Sequence, residues 1–382
     1  MKKMLVIHTK YRARGGEDIA VQNELDFLKK YYQVEIVYFD NLISNYFKQT
    51  VAFLFNRNNE SNLKIAKLLK SFDPDYVYVH NTWFKASLGV FKLLESKKYK
   101  IILKLHNFRY DCTKLHSSSK HLKGQSFCKA CGIQADQVGI YNKYYLNSYL
   151  RSFLLNHYGK KYFQIIMNND LKIFVLTNFH KKYLLNLGID PKKVEVFPNH
   201  LSIPNPNKTE VSQKYLVYAG RISEEKGVEE LVNTFLKANL QNINLKIIGN
   251  GPLLPNLKKS YNDSRIEFLG EIKNEEVLSI IAGSVAVITA TKLLEGQPTL
   301  LCEASSMGVP SIFPNSGGIS EFFPKDYKLS FNPFDYSDLQ KKLMSTLEID
   351  KMVKLGNENK NFIEEYLNER NLIDKFKTFI DE

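Results

Sequence analysis

The feature that most constrains this chain is a repeated order of short strand-like runs, each followed by residues with the apolar spacing of a helix. Strands and helices that alternate in this way form parallel sheets with helices on both faces. The strand-like runs cover 4–9, 34–39, 76–80, 101–106 and 173–177, then 215–220, 245–249, 266–270, 285–290 and 310–314. The sequence therefore predicts an α/β protein with two doubly wound domains.

The length agrees with two domains, because 382 residues exceed what a single hydrophobic core supports. Residues 201–214 are polar, contain two prolines and show no period, so they are the predicted linker. We expect an N-terminal domain over 1–200 and a C-terminal domain over 215–360. The apolar spacing within 361–382 predicts a terminal helix.

Positive charge is concentrated in the first half of the chain. Residues 1–200 hold 32 Lys and Arg against 15 Asp and Glu, whereas the remainder holds 21 against 25. Such a field suits phosphate groups, an acidic lipid surface or nucleic acid, and a merely solubilising surface explains it equally well. The N-terminus lacks a secretion signal, and four cysteines are too few for a disulfide framework. We therefore expect a cytoplasmic protein.

The segment 290–310 carries the most chemical information. Pro298 fits an early helical position, so we expect a helix to begin in the turn that follows Gly296. Free backbone N–H groups at this turn would form an anion site at the positive end of the helix dipole. They belong to Gln297, Thr299, Leu300 and Leu301.

Two carboxylates flank this turn. Glu303 would lie inside the helix, where it could accept both hydroxyl groups of a ribose, and Glu295 would lie on the loop beside a sugar. The alternative is an exposed helical glutamate and a charge that matches the helix dipole.

Two cations follow the first strand-like run of the second half. Arg221 comes directly after Gly220 at the end of that run, and Lys226 lies five residues later. Together they could share the charge of a diphosphate as it becomes a leaving group. The glycine turn in 247–252 lacks the third glycine of a dinucleotide fingerprint, which disfavours a hydride-transfer enzyme.

The first half offers two weaker candidates. Gly15 and Gly16 follow the first strand-like run and would let a phosphate or a sugar approach the backbone, although a structural turn is an equal explanation. His106 ends another strand-like run, where polar side chains face the ligand crevice of a parallel sheet. A buried histidine with a local partner is the alternative.

A cysteine cluster lies in the same half. Cys112, Cys128 and Cys131, with His116 and His121 between them, have a spacing compatible with structural zinc. Reduced thiols near an acceptor site are the alternative that we favour.

In combination, these segments resemble the family-four retaining glycosyltransferases of the GT-B fold over essentially the full length. The motifs are RGGEDIAVQNELDFL (14–28), KLHN (104–107), VFPN (196–199), YAGRISEEKG (218–227), IIGNGP (247–252) and EGQPTLLCE (295–303). Each motif is weak alone, whereas their order and spacing together are specific. The resemblance implies two Rossmann-like domains that face a central cleft, with the C-terminal helix returning to the first domain.

The resemblance also implies the reaction: transfer of a hexosyl-type sugar from a nucleotide diphosphate sugar, here expected to be a UDP-sugar, with retention of configuration and without a metal. No covalent nucleophile is expected, and His106, Arg221, Lys226 and Glu295 are the implied catalytic residues. Arg221 and Lys226 are implied to contact the diphosphate, Glu303 the ribose, and Gly220 the donor. In the first domain, the Gly15–Gly16 loop is implied to contact the diphosphate, and His106 the sugar near its C6 hydroxyl. The residues implied to contact the sugar and the phosphates are Glu295, Gly296, Gln297, Thr299 and Leu300.

Acceptors implied by the resemblance are saccharides or polyprenyl-diphosphate-linked saccharides at the inner face of the plasma membrane. Capsule and O-antigen synthesis in a bacterium are the expected pathways. The aromatic and basic stretch 141–163 is a candidate contact with an anionic membrane surface, and an ordinary packed helix is its alternative. His200 and Gln297 depart from the family pattern, which bears on the identity of the donor base and sugar.

Three other functions are alternatives for this sequence. A zinc-containing nucleic-acid binder is disfavoured because the basic residues are dispersed and no reader module occurs, so we expect no nucleic acid. A nucleotide-sugar epimerase on the same fold would need no acceptor. A non-catalytic scaffold would not require the polar residues of a donor site, and all of these residues are present.

Overall fold

The computed structural model describes residues 1–10, 16–41, 46–111, 148–201 and 214–382. Gly15, the three candidate zinc cysteines and most of the predicted linker lie outside these residues. The chain divides into two units: unit 1 comprises Met1–His200 with Glu369–Glu382, and unit 2 comprises Leu201–Asn368.

Unit 1 is built on a parallel sheet of six strands in the order β2-β1-β3-β4-β5-β6. Its elements are β1 (Lys3–Lys10), α1 (Gly16–Leu28), β2 (Gln33–Asp40), α2 (Tyr46–Leu54), α3 (Asn59–Phe72), β3 (Tyr76–Asn81), α4 (Gly89–Ser96), β4 (Lys100–Leu105), α5 (Tyr149–Asn168), β5 (Lys172–Val175), α6 (Asn178–Asn186) and β6 (Val194–Val196). All six residues of β3 are buried, as expected for a parallel strand that is covered on both faces.

Unit 2 contains a second parallel sheet, in the order β12-β11-β10-β7-β8-β9. Its elements are β7 (Lys214–Ala219), α7 (Val228–Ala238), β8 (Ile243–Ile248), α8 (Leu254–Ser260), β9 (Ile266–Gly270), α9 (Asn274–Ala282), β10 (Ala286–Ile288), α10 (Thr299–Ser306), β11 (Ser311–Pro314), β12 (Ser330–Phe331), α11 (Tyr336–Met344) and α12 (Ile349–Tyr366). The two parallel sheets with their helices confirm the predicted α/β class.

The side chains of the central strand β7 pack into apolar layers on both faces of the unit 2 sheet. Leu216 and Tyr218 pack into the apolar layer that contains α7, whereas Tyr215 and Val217 pack into the opposite layer with α9 and α10. Successive side chains of a strand point to opposite faces, so an uninterrupted apolar run buries both.

The strand order of unit 2 reverses between β7 and β10, because β8 and β9 continue on one side of β7 while β11 and β12 continue from β10 on the other. At such a switch point the loops after the two central strands separate and leave a crevice where ligands bind. The loop after β7 begins at Gly220, and the loop after β10 leads to α10.

The ten strand-like runs of the sequence all form strands, and two further strands were missed. The missed strands are β6 and β12, which contain three and two residues and are too short for a pattern. The stretch 361–382, predicted as one terminal helix, contains the end of α12 and a separate last helix, α13 (Glu369–Asp381).

Helix α13 belongs to unit 1, in agreement with the expected return of the C-terminal helix. Phe376 is fully buried and its ring centroid lies 5.1 Å from those of both Phe174 and Phe197. Near the end of the helix, Lys2 Nζ donates a hydrogen bond of 2.7 Å to Asp381. The helix therefore completes the apolar core of unit 1.

His200, which departs from the family pattern, contacts the start of this helix. Its ring stacks on Phe27 with centroids 4.9 Å apart, and its Nε2 lies 3.0 Å from a carboxylate oxygen of Glu369. A glycine could make neither contact, so His200 has a structural role within unit 1.

We expect Phe376→Ala to lower the free energy of unfolding of unit 1 by about 3–5 kcal/mol, because it removes a buried ring and leaves a cavity. Urea unfolding followed by circular dichroism measures the change. Asp374→Ala, at an exposed position of the same helix, is the control and should be nearly neutral. Equal effects of the two substitutions would contradict a core role for α13.

Candidate functional site

The loops on the two sides of the unit 2 switch point are joined by an ion pair. Lys226 ends the short 3-10 turn Glu224–Lys226 after β7, and its Nζ lies 2.5 Å from Oε1 of Glu295 in the loop after β10. The same oxygen accepts a hydrogen bond of 2.9 Å from the hydroxyl of Thr291. Two predicted site residues are thus in direct contact.

The charge state of Glu295 is set by these partners. Burial alone would raise the pKa of its carboxyl group, but the charge of Lys226 and the hydrogen bonds from Lys226 and Thr291 outweigh it and lower the pKa below the usual value. Glu295 is therefore ionised at neutral pH.

Close backbone contacts hold both loops in place. Gly227 has φ of 65°, and a Cβ there would lie 2.0 Å from the carbonyl oxygen of Ala290. Gly317 has φ of 63°, and a Cβ there would lie 2.4 Å from the carbonyl oxygen of Glu295. That carbonyl accepts a hydrogen bond of 2.9 Å from the Gly318 N–H. Only glycine fits at the two positions with positive φ.

Not all of the backbone N–H groups that were expected to be free in the turn before α10 are free. The Thr299 N–H donates to the carbonyl of Gln297 at 3.0 Å, and the Leu301 N–H donates to the carbonyl of Pro298 at 2.9 Å. These two amides are used inside the turn, because Pro298 adopts φ −82° and ψ 80° and tightens the entry to the helix. In the described part of the chain, the Leu300 N–H has no backbone acceptor.

Glu303 lies in α10 and is buried, with 7% of its surface exposed. Its carboxylate has no hydrogen-bond or ion-pair partner among the described residues. Burial raises its pKa to about 7. A buried carboxyl group without a partner is costly. Because Glu303 is buried, the alternative explanation of this residue as an exposed helical glutamate is wrong.

Arg221 is exposed, and within the described ranges its guanidinium group makes no ion pair. The backbone beneath it is fixed, because the buried hydroxyl of Tyr218 donates a hydrogen bond of 2.8 Å to the carbonyl of Arg221. The loop is therefore ordered at its base while the cation is presented to solvent.

His106 of unit 1 follows β4 and is half-buried. Its Nε2 lies 3.1 Å from Nδ1 of His80, and the two rings stack with centroids 5.4 Å apart. No described residue hydrogen-bonds to Nδ1 of His106. The alternative for His106, a buried histidine with a local partner, thus applies to one of its two ring nitrogens.

Both histidines are neutral at physiological pH. Burial lowers the pKa of His106 and of His80 well below the usual value, and the nearby charge of Lys104 lowers both further. Lys104 is itself fully buried and pairs with Glu24, which also accepts a hydrogen bond of 2.5 Å from Tyr78.

Sequence reasoning missed His8 and His80. His8 lies in β1 with its Nε2 2.8 Å from Asp18, and its ring centroid is 6.3 Å from that of His80. A signal was present, because three strands that are neighbours in the sheet each carry a histidine near the carboxyl end.

The structure places the other predicted residues as follows. In unit 2, all of them lie in the loops after β7 and β10 or in α10: Gly220, Arg221, Lys226, Glu295, Gly296, Gln297, Thr299, Leu300 and Glu303. In unit 1, Gly16 begins α1, and a Cβ there would meet no atom of the described residues within 4 Å. Packing against the described residues therefore does not explain this glycine.

The described residues lack two further features. No group of three or more His, Cys, Asp or Glu is placed to hold a metal ion. No described helix has the length and apolar character needed to cross a bilayer.

Part of the chain matches a known protein family. Residues 201–366 match the family described as Glycosyl transferases group 1. The sulfoquinovosyl transferase SQD2 of Arabidopsis thaliana is 30% identical over 143 residues, which cover 36% of this chain and 27% of that protein. Protein CapJ of Staphylococcus aureus is 29% identical over 196 residues, which cover 50% of this chain and 48% of CapJ. The chain thus spans about half, or less, of these relatives.

Among solved structures, Alr3699/HepE of Anabaena, in complex with UDP-glucose, superposes with a TM-score of 0.70 at 13% identity and covers all of both chains. At this identity the likeness shows the fold alone. Each unit therefore contains the parallel sheet with helices that the motifs implied for a domain of the GT-B fold.

We expect Gly227→Ala to destabilise unit 2 more than Gly270→Ala. Both glycines have positive φ, but a Cβ at Gly227 would clash with a backbone oxygen, whereas a Cβ at Gly270 would meet no atom within 4 Å. The backbone conformation should cost about 1–2 kcal/mol in each variant, and the clash should add about 1–3 kcal/mol at Gly227. Denaturant unfolding measures both, and equal losses would contradict the close contact.

Proposed function

Residues 201–366 are a Glycosyl transferases group 1 domain, and from this premise we propose that the protein is a glycosyltransferase that moves a hexosyl-type residue from a nucleotide diphosphate sugar to a saccharide acceptor. The observation that carries the proposal is the group of charges at the unit 2 switch point. It combines an exposed cation, a cation paired with a carboxylate, and a buried carboxyl group without a partner.

Arg221 and Lys226 are the proposed diphosphate ligands. Both follow β7, so one loop presents two positive charges at the carboxyl end of the central strand. Negative charge builds up on the diphosphate as the bond to the sugar breaks, and fixed cations stabilise it without reorganisation. The ion pair with Glu295 would keep the Lys226 ammonium group in place before the donor arrives.

Glu303 is the proposed ribose ligand. Two hydroxyl groups could donate to its two carboxylate oxygens, which have no other partner among the described residues. Such hydrogen bonds favour the ionised form, so a bound donor would lower the raised pKa of Glu303.

We further propose that the transfer retains configuration and needs no metal. The leaving diphosphate would help to deprotonate the acceptor on the same face of the sugar, and Arg221 and Lys226 would take the part that a divalent cation plays elsewhere. Glu295 would lie beside the transferred sugar. His106 and the Gly15–Gly16 loop stay predicted donor contacts of unit 1.

The donor nucleotide is proposed to be UDP, which is supported by the UDP-glucose bound to the similar HepE structure. The proposed acceptor is a saccharide, free or carried on a polyprenyl diphosphate, at the inner face of the plasma membrane. The proposed pathway is synthesis of a bacterial cell-surface polysaccharide such as capsule or O-antigen.

Donor binding should depend on pH through Glu303, whose pKa is about 7. If the donor binds the ionised carboxylate, its Kd should fall by up to about tenfold per pH unit as pH rises towards 7, and level off above. Calorimetric titration of UDP-sugars, whose diphosphate has no group that titrates in this range, from about pH 6 to about pH 8 measures this. Glu303→Gln should bind about tenfold or more weakly and show a flat profile.

The control for this experiment is Glu276→Gln, at an exposed glutamate of the same unit. It should leave both the affinity and the pH profile unchanged. A pH profile in Glu303→Gln as steep as in the wild type would remove Glu303 from the donor site.

Transfer itself is tested by product analysis. With a UDP-sugar and a saccharide acceptor, we expect a product whose new bond has the anomeric configuration of the donor, formed at the same rate in excess chelator. NMR coupling constants give the configuration. An inverted product would contradict retention, and an isomerised donor formed without acceptor would establish the epimerase instead.

A further inference from the structure

The two carboxylate oxygens of Glu295 have different surroundings. Oε1 accepts a hydrogen bond of 2.5 Å from Lys226 Nζ and one of 2.9 Å from the Thr291 hydroxyl. Oε2 has no hydrogen-bond or ion-pair partner among the described residues. One oxygen is thus held by the protein, and the other is open to a ligand.

A ligand can reach this ion pair from solvent. The side chain of Lys226 is 30% exposed and that of Glu295 is 27% exposed. An ammonium group has three N–H donors, so Lys226 can contact a phosphate without giving up its bond to Glu295. Because Glu295 is ionised at neutral pH, a diphosphate bound to Lys226 would lie beside a negative charge.

A second ion pair joins the same part of unit 2 with the charges reversed. Lys292, in the loop after β10, lies 2.6 Å from Glu230 in the first turn of α7. The Lys292 N–H also donates to the carbonyl of Glu225 at 2.9 Å. These contacts already tie the loop after β10 to the segment after β7. Joining the two loops is therefore not a sufficient reason for an acidic residue beside a proposed phosphate ligand.

The proposed reaction begins with a nucleotide sugar and ends with a free nucleoside diphosphate, and these ligands differ at the position proposed for Glu295. The nucleotide sugar carries hydroxyl groups that can donate to Oε2. The product has no such donor, and its terminal phosphate carries about one further negative charge, since the second pKa of a phosphate monoester is about 6. An ionised carboxylate attracts the first ligand and repels the second.

We propose that Glu295 makes the donor site discriminate against its own product: the open oxygen binds the sugar of the intact donor, and the same charge weakens binding of the nucleoside diphosphate left after transfer. The inference rests on the proposed function and deepens it, because it concerns product release from the same site. Release of product limits the turnover of many enzymes, so weaker product binding favours turnover.

This role of Glu295 does not remove the stabilisation of the leaving group. Arg221 is exposed and makes no ion pair within the described ranges, so the group keeps a net positive charge towards the diphosphate. Glutamine at position 295 could accept the same hydrogen bonds from Lys226 and Thr291 without carrying a charge. The charge of Glu295 can therefore be tested separately from its contacts.

The test is calorimetric titration of UDP and of UDP-glucose at about pH 8, where the terminal phosphate of UDP is ionised. We expect Glu295→Gln to bind UDP about tenfold more tightly than the wild type, and UDP-glucose no more tightly. The ratio of the two affinities is the decisive quantity. Both ligands carry the diphosphate, so a loss of folding or a displaced Lys226 would cancel in this ratio.

Two further variants make the test specific. Glu230→Gln also removes one negative charge, from the pair with Lys292, and should change the ratio by less than about twofold because that pair holds no proposed phosphate ligand. Glu295→Asp keeps the charge on a shorter side chain and should retain most of the discrimination against UDP. If Glu295→Asp shifts the ratio as far as Glu295→Gln, the charge is not the cause and the proposal is wrong.

The outcomes separate this inference from the proposed function. An unchanged ratio in Glu295→Gln, or weaker binding of UDP, would mean that Glu295 only holds Lys226 in place, and the inference would be wrong. Binding of UDP-glucose by the wild type would still support the proposed function in that case. A wild type that binds neither UDP nor UDP-glucose would refute the proposed UDP-dependent function together with the inference.

Discussion

The contact between Lys226 and Glu295 is the interaction on which the proposed donor site depends. It joins the two loops that leave the sheet of unit 2 on either side of its switch point, and Gly227 and Gly317 allow those loops to approach within backbone contact. Glu295 offsets the charge of Lys226 and holds its ammonium group in place, so the net positive charge of the group comes from Arg221. Arg221 supplies a cation, and Glu303 supplies a carboxyl group close to its titration point.

The sequence was sufficient to predict ten of the strands that the structure describes, and the residues proposed for the unit 2 site lie together after two of them for one physical reason. Parallel strands bring their carboxyl ends to one edge of a sheet, so polar residues that directly follow such strands are gathered there whatever their separation along the chain. The pairing within that group was not predictable. Lys226 and Glu295 are 69 positions apart, and no local propensity distinguishes a paired lysine from a solvated one.

Other features depended on backbone detail that a residue pattern does not encode. Two of the amides expected to be free before α10 are used inside the turn, because the dihedral angles at Pro298 decide which carbonyls they reach. In unit 1, the buried pair of Lys104 and Glu24 was also missed, since both residue types are normally found at the surface. Burial, together with the charge of Lys104 from that pair, lowers the pKa of His106 and keeps this histidine neutral, which makes the corresponding edge of unit 1 chemically different from that of unit 2.

The position of α13 has a consequence for how the chain is made. Unit 2 is inserted, in topological terms, between β6 and the last helix of unit 1, so the ribosome completes unit 2 first. Until residues 369–382 emerge, the aromatic cluster around Phe174 and Phe197 lacks its cover. Contacts that span nearly the whole sequence, such as that of Lys2 with Asp381, form only after residues 369–382 have emerged. While unit 2 is being synthesised, nascent unit 1 therefore exposes part of its aromatic core, and exposed apolar surface favours aggregation.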